Sequence, residues 1–375
     1  MLLTEAEGKA LLCEAGIEVP KGFEIREGEA LASLDLAYPV ALKAQVRSGG
    51  RGKAGGVLRC HDREEALNAF AALSAARFGG EAPQSVLVEP WLEIERELYL
   101  ALVVDGGAGG YAVLYAPKGG SEVEEGGKPL FCPVGPPGDF SAPRLRRLLS
   151  ETETEPPLRE GLIALSRRLL RLAAAKECLT VEINPLALLA GGRLVAADAK
   201  IVRDDASAHR HRSLAKALLE RRAEEPESVR LCAEMGLTLL WLGGEVGLLS
   251  TGAGMTMAAM DAIADAGGRA ASFFDVSGNL SPSGLGRAFA VLDEAPAVRA
   301  ILVSIFGGGT HVDRVARNLI DILRARRAQK PVVLRLHGTG REEATRLLAA
   351  AGLFNHESLE EAVATAVARA REALS

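Results

Sequence analysis

Apolar and polar positions follow two different rhythms along this chain, and the change falls between residues 225 and 236. In the first part, stretches of period two mix with stretches of helical period in no regular order. Residues 40–46, 57–60, 85–90, 97–105 and 110–116 read as strands, because apolar and β-branched side chains fill them and turn residues bound them. Residues 62–75 read as an amphipathic helix opened by Asp62 and Glu65. Thr4-Glu5-Ala6-Glu7 has the spacing of a capping box and predicts a helix that Gly16 ends. Residues 145–175 carry helical periodicity interrupted at Pro156-Pro157, residues 133–143 read as irregular, and residues 179–201 read as a hairpin. This is an α+β plan.

A charged helix over residues 213–225, closed by Pro226, marks the boundary between a domain of residues 1–225 and one of residues 236–375. In the second, β and α patterns alternate. Strands are expected at 246–249, 271–276, 300–306 and 331–336, and helices at 255–266, 282–293, 312–325 and 342–351. Each strand ends in a loop containing glycine. Such α/β repeats predict a parallel sheet of flavodoxin-like type, with ligands at the carboxyl ends of its strands.

Composition narrows the function. The formal net charge of −5 and the absence of any long basic run argue against nucleic acid. Two arginine clusters, Arg144/Arg146/Arg147 and Arg324/Arg326/Arg327, fit solvated faces. Five scattered cysteines without a C-x-x-C pair suggest neither a disulfide framework nor a zinc site, and point to a reducing cytoplasm. No apolar run approaches the ~18 residues of a membrane-spanning helix, and the N-terminus lacks a signal-peptide pattern.

Three clusters carry candidate chemistry. The run Gly49-Gly50-Arg51-Gly52-Lys53-Ala54-Gly55-Gly56 would let backbone N–H groups approach phosphate oxygens while Arg51 and Lys53 supply charge, although it is not a Walker A loop. Read alone, it also fits a tight hairpin with exposed cations. Lys43 lies in an apolar strand, where an ammonium is costly unless it meets an anion. In the second cluster, a hairpin turning at Ala190-Gly191-Gly192 sets Leu189 opposite Arg193, Asn184 opposite Asp198 and Glu182 opposite Lys200. Those oxygens suit Mg²⁺ bound to nucleotide phosphates; the plainer reading is a salt-bridge ladder. The third cluster is Thr251-Gly252-Ala253-Gly254, Ser277-Gly278-Asn279 and Gly307-Gly308-Gly309-Thr310, all at strand ends, where following helix N-termini can hold anions. None of the six histidines shows triad or metal-ligand spacing, and only His311 borders a glycine loop.

In this order the motifs resemble the β subunit of succinyl-CoA synthetase (succinate–CoA ligase), over nearly the whole chain. Residues 49–57, Glu97-Leu98-Tyr99-Leu100, Glu182-Ile183-Asn184-Pro185-Leu186, Asp198-Ala199-Lys200 and residues 301–308 carry the resemblance. It implies an N-terminal ATP-grasp domain followed by a flavodoxin-like CoA-ligase domain. It also implies nucleotide contacts from Lys43, Gly50, Arg51, Gly52, Glu89, Leu92 and Glu97, with Pro20 near the entrance, and Mg²⁺ ligation by Asn184 and Asp198. Glu182 would stand beside a histidine phosphorylated by ATP (or GTP). That histidine and the CoA site would belong to an α subunit, in an αβ or α₂β₂ assembly.

By the same resemblance Thr251, Gly308, Gly309 and Thr310 would bind the carboxylic acid. There the chain departs from the family. Thr251-Gly-Ala-Gly254, Asp275-Val-Ser-Gly-Asn-Leu280 and Ser304-Ile-Phe-Gly-Gly-Gly-Thr-His311 replace stretches that commonly carry two asparagines and an arginine. Two amides and a guanidinium become two hydroxyls and an imidazole, so an acid other than succinate, such as malate, is expected. The alternatives are an ATP-grasp ligase that makes acyl phosphates without CoA, and a regulatory paralogue that binds nucleotide and the α subunit.

Overall fold

The computed structural model describes residues 1–28, 31, 34–47, 51–120, 128–326 and 330–373. It divides into two compact units, Met1–Leu218 and Leu219–Ser375. The first opens on helix α1 (Glu5–Glu14), with the expected reciprocal cap: Thr4 Oγ1 accepts from Glu7 N at 3.3 Å, and Glu7 Oε2 accepts from Thr4 N at 2.8 Å. Gly16 follows at φ 72°, a left-handed conformation that ends the helix.

Strands β1 (Phe23–Ile25), β2 (Val40–Gln45), β3 (Val57–Cys60) and β4 (Ser85–Pro90) form an antiparallel sheet in the order β1-β4-β2-β3. Helix α2 (Arg63–Ala75) covers one face, burying Ala66, Phe70 and Leu73 against Val40, Leu42 and Val88. The period of two then sends Ala41 and Lys43 to the other face. That face looks into a cleft.

The second sheet contains β5 (Arg96–Asp105), β6 (Gly110–Ala116), β7 (Leu130–Gly135), β8 (Cys178–Leu189), β9 (Arg193–Ala196) and β10 (Lys200–Arg203), in the order β10-β8-β5-β6-β7 with β9 also on β8. Two expectations need correction here. The stretch 133–143 is not wholly irregular, because β7 enters it and pairs with β6. Pro156-Pro157 does not interrupt a helix; it starts one. Helix α3 (Ala142–Leu149) ends before it, and Pro156 occupies the first turn of α4 (Pro156–Lys176), where its missing N–H costs nothing. Leu162, Leu169 and Ala173 of α4 are buried in the core with Leu100, Leu102 and Val181.

The hairpin register holds at both ends, with Leu189 opposite Arg193 and Glu182 opposite Lys200. Between Ala196 and Lys200 the ladder breaks. The hairpin is thus not continuous, and this gap leaves the Ala197 carbonyl for side chains.

Helix α5 (Arg212–Glu224) runs through the boundary between the units. In the second unit β11 (Thr238–Trp241), β12 (Val246–Ser250), β13 (Ser272–Asp275), β14 (Ala300–Gly307) and β15 (Val332–Gly338) are ordered β11-β13-β12-β14-β15. The last four are parallel in flavodoxin-like order, while β11 is an antiparallel edge that the periodicity did not reveal. Helices 253–265, 282–294, 312–325 and 341–350 follow as expected. Helices Glu227–Glu234 and Leu359–Glu372 are additions.

Arg326 corrects the reading of its cluster as a solvated face: it caps the 312–325 helix, pairs with Asp293, and lies over the Phe289 ring at 5.3 Å. Arg327 lies outside the described residues. No helix among those described is long and apolar enough to cross a membrane.

Candidate nucleotide and acid sites

In the first unit a cleft of about 230 Å³ opens beside the outer face of β2 and β4. Its wall combines apolar side chains (Ala41, Val57, Leu92 and Ile94) with charged ones (Lys43, Glu89, Glu97 and Asp198). Pro20 and Pro185 complete one edge. Five residues expected around a nucleotide, Pro20, Lys43, Glu89, Leu92 and Glu97, thus surround one space together with Asp198. Arg51 stands behind Asp198, and Gly52 is exposed with open space around its Cα. Gly50 lies outside the described residues.

The charged end is tightly knit. The Lys43 ammonium, half-buried at the cleft wall, does meet anions, and they are the protein's own. Nζ lies 2.8 Å from Glu5 Oε1 and 2.9 Å from Glu89 Oε2, and donates to Ala197 O at 2.6 Å. Arg51 donates to Ala44 O at 2.9 Å, pairs with Glu5 Oε2, and reaches Asp198 Oδ1 at 3.3 Å. Lys9, one turn after Glu5 on α1, contacts Glu5 at 2.7 Å and both Glu89 oxygens at 2.6 Å.

Three cations and three carboxylates therefore balance one another, with Glu5, Lys9, Arg51 and Glu89 buried and the Asp198 side chain 37% exposed at the cleft; such mutual pairing is the condition for burying charge at tolerable cost. Burial opposes ionisation of Glu5, but Lys43, Lys9 and Arg51 outweigh it and hold its carboxyl well below the usual range. Burial likewise works against the Lys43 ammonium, and Glu5 and Glu89 more than restore it, so its pKa is raised. Asp198 moves the other way: burial and then the charge of Glu5 push it up, against the pull of Arg51 and Lys43.

Glu5 and Lys9 were not singled out from the sequence. Their i,i+4 spacing was the available signal, but it normally marks an exposed helical pair. Only the packing of α1 reverses that reading.

On the neighbouring sheet, Asn184 clasps Gly120: its Oδ1 accepts from Gly120 N at 2.6 Å and its Nδ2 donates to Gly120 O at 3.2 Å. A Cβ on Gly120 would stand 2.1 Å from Glu97 Oε2, so Glu97, Gly120 and Asn184 lie side by side. Glu182 faces Lys200 at 3.7 Å. Tyr99 is pushed up to about 12, first by burial and then by the charge of Glu182, so its phenol stays protonated. Asn184 and Asp198 offer hard oxygen donors on neighbouring segments. No group of three or more His, Cys, Asp or Glu among the described residues forms a dedicated metal cage.

In the second unit the glycine loops gather at the carboxyl ends of β12, β13 and β14, the position expected for ligands. Two are partly closed by the protein itself. Asp275 Oδ1 accepts from Gly252 N and Ser277 N, both at 2.9 Å, placing a carboxylate where an anion was expected. Thr251 is buried, and its hydroxyl donates to Phe306 O at 3.2 Å and accepts from Phe306 N at 3.1 Å. It therefore ties the two loops together, and its hydroxyl proton is held by Phe306 O. Asn279 is also engaged, donating to Met235 O and accepting from Ser281. Gly308, Gly309, Thr310 and His311 remain exposed. His311 is the N-cap residue of the 312–325 helix without a capping side-chain bond.

Beside them on β14 and β15 lie Ser304, Arg335 and His337, which the motifs had not indicated as a group. Arg335 Nη1 donates to Ser304 Oγ at 3.4 Å, and burial pushes the guanidinium pKa down. Arg335 Nε and His337 Nδ1 are buried without a hydrogen-bond partner among the described residues.

Comparison with known proteins agrees with both units. Residues 2–188 match the ATP-grasp domain family, and residues 249–369 match the CoA-ligase family. The chain is 36% identical over 374 residues to the ADP-forming succinate–CoA ligase subunit beta of Desulfurococcus amylolyticus, with 97% of each chain covered. It is 35% identical over 380 residues to that of Ignicoccus hospitalis, covering 100% of both. The corresponding figure for Aquifex aeolicus is 33% over 367 residues, covering 94% of each. Among solved structures, ATP citrate lyase from Methanothrix soehngenii in complex with citrate and coenzyme A shares the fold, at TM-score 0.71 and 18% identity over 98% of this chain and 99% of that one.

Proposed function

The chain belongs to the family of ADP-forming succinate–CoA ligase β subunits, and we propose that its first unit holds ATP in the cleft beside Lys43 while an α subunit supplies the CoA site and a phosphorylatable histidine. Membership makes it an acid–thiol ligase subunit with ATP and CoA as substrates. The observation that carries the nucleotide assignment is the cleft itself, where Lys43, Glu89, Leu92 and Glu97 converge although they come from three separate segments. Its apolar wall suits the face of a base, and its charged end suits phosphates.

Within that reading, Lys43 and Arg51 neutralise charge on the transferring phosphoryl group. Those charges suit the reaction, since phosphoryl transfer depends mainly on positioning and charge. Asn184 and Asp198 would hold Mg²⁺, whose preference for a few hard protein oxygens beside phosphate and water fits this donor set. Mg²⁺ would neutralise phosphate charge. Glu182 would receive the partner's histidine and orient its N–H. Thr310, Gly308 and Gly309 would contact the acid, with Thr251 acting through the loop it ties. The loss of amide and guanidinium donors favours an acid other than a simple unsubstituted diacid. The free cysteines suit a cytoplasmic setting.

The test is reconstitution with the α subunit, followed by ATP- and CoA-dependent thioester formation across a panel of carboxylic acids. Activity with both subunits and none with either alone supports the reading. Thioester synthesis by this chain alone would refute it.

A further inference from the structure

Lys9 and Lys43 contact the same acceptors. Both ammonium groups reach Glu5 Oε1, at 2.7 and 2.8 Å, and Glu89 Oε2, at 2.6 and 2.9 Å. Both donate to Ala197 O, at 2.8 and 2.6 Å. They differ in what lies on their other side. Lys43 lines the nucleotide cleft; Lys9 is sealed behind it on α1, 4% exposed.

Lys43 donates hydrogen bonds to Glu5 Oε1 and Ala197 O and forms an ion pair with Glu89 Oε2, so its ammonium is already engaged on three oxygens. Turning that ammonium toward a phosphate loosens its hold on these oxygens. Without a second cation, that release would leave Glu89, 2% exposed, as a buried charge without compensation, and Glu5 with Arg51 alone. Lys9 already contacts every oxygen that Lys43 would give up, by hydrogen bonds to Glu89 Oε2 and Ala197 O and an ion pair with Glu5 Oε1. The doubling is costly in the nucleotide-free state, because two ammonium groups crowd one set of acceptors. Burial and the charge of Lys43 both depress the Lys9 pKa, while Lys43 itself is raised. Removing Lys43 from the trio relieves that repulsion.

We propose that Lys9 is a positioning residue for nucleotide binding: it holds Glu5, Glu89 and the Ala197 carbonyl when Lys43 turns from them to a phosphate. This deepens the proposed function and rests on Lys43 being the phosphate-binding lysine of the cleft. Lys9 never touches the nucleotide. Its effect passes through Lys43.

The experiment is Mg-ATP binding by titration calorimetry to the αβ complex of wild type, Lys9→Gln, Lys9→Arg, Lys43→Met and the Lys9→Gln/Lys43→Met double variant, with melting curves to establish that each is folded. Lys9→Gln is expected to weaken binding about tenfold. Lys9→Arg, which keeps the charge, should stay within about threefold of wild type. In the Lys43→Met background, Lys9→Gln should have no further effect. A Lys9→Gln variant that binds as tightly as wild type overturns the proposal, and so does an equal loss in both backgrounds, which would mark Lys9 as merely structural. If Lys9→Gln does not fold, a Lys9→Met variant assayed over a range of ATP concentrations decides it: its KM must rise at least about fivefold while kcat stays within about twofold, and Lys9→Arg must keep a KM within about threefold of wild type. Absence of binding by the wild type would refute the nucleotide reading itself, which separates that failure from this one.

Discussion

Asn184 grips the backbone of Gly120 from both sides, accepting from its N–H at 2.6 Å and donating to its carbonyl at 3.2 Å. The same Gly120 lies against Glu97, a member of the cleft wall, at φ 67°. A residue read from the sequence as a metal ligand therefore fixes the backbone beside the proposed nucleotide cleft. Replacing it by alanine should remove two partly buried hydrogen bonds, at about 1–3 kcal/mol together, and should raise the Mg²⁺ concentration needed for half-maximal activity. Denaturant melts and an Mg²⁺ titration of the αβ complex check both effects.

Gly120→Ala should act on the same spot by steric means. Its Cβ would stand 2.1 Å from Glu97 Oε2, and the left-handed φ disfavours any L side chain. The expected outcome is a KM for ATP raised at least fivefold. A steady-state series in ATP decides it, and an unchanged KM would show that Glu97 does not help shape the nucleotide site.

Asp198 should trade stability for function. Burial, then Glu5, raises its folded pKa, so the native state binds its proton more readily than the unfolded chain does. Its contribution to stability therefore declines as pH rises above the unfolded aspartate value of about 3.9 and through the folded pKa. At neutral pH Asp198→Asn should melt at or above the wild-type temperature while Mg²⁺-dependent turnover falls by two orders of magnitude or more. A variant that melts lower would show that the Arg51 pairing outweighs the burial.

Glu5 has the opposite sign. Its folded pKa is depressed, so its stabilisation is present above the unfolded glutamate value of about 4.3 and is lost as pH falls through the folded pKa. Glu5→Gln removes the carboxylate shared by Lys9, Lys43 and Arg51. Breaking a buried network of this kind costs about 3–5 kcal/mol. Urea melts at pH 7 and pH 4 should show the variant weaker at neutrality, with the gap narrowing on acidification.

Acid selectivity gives the last prediction. With the α subunit present, kcat/KM for succinate should be lower than for a hydroxylated diacid such as malate. His311→Arg, which adds a bidentate carboxylate donor to an exposed helix N-cap, should shift the ratio toward succinate by roughly tenfold. Competition assays over a diacid panel check this, and a wild type that prefers succinate would show that the substituted loops do not govern the choice.

Short-range order was legible in the sequence. The capping box at Thr4, the β–α alternation of the second unit, and the register that sets Glu182 against Lys200 depend on neighbours a few residues apart or on one turn, and periodicity records such relations directly. That Lys43 needs an anion was also legible, because an ammonium in an apolar strand must be compensated. Which anion it meets was not. Glu5 and Glu89 reach Lys43 only when α1, β2 and β4 have packed, and the Ala197 carbonyl joins them only because the ladder breaks after Ala196. Tertiary structure likewise spent the Thr251 hydroxyl on Phe306 and paired Arg326 with Asp293. The division has one physical cause: patterning along the chain reports which side chains will be buried, while the pairing of buried charges is chosen by segments that meet only after the chain has folded.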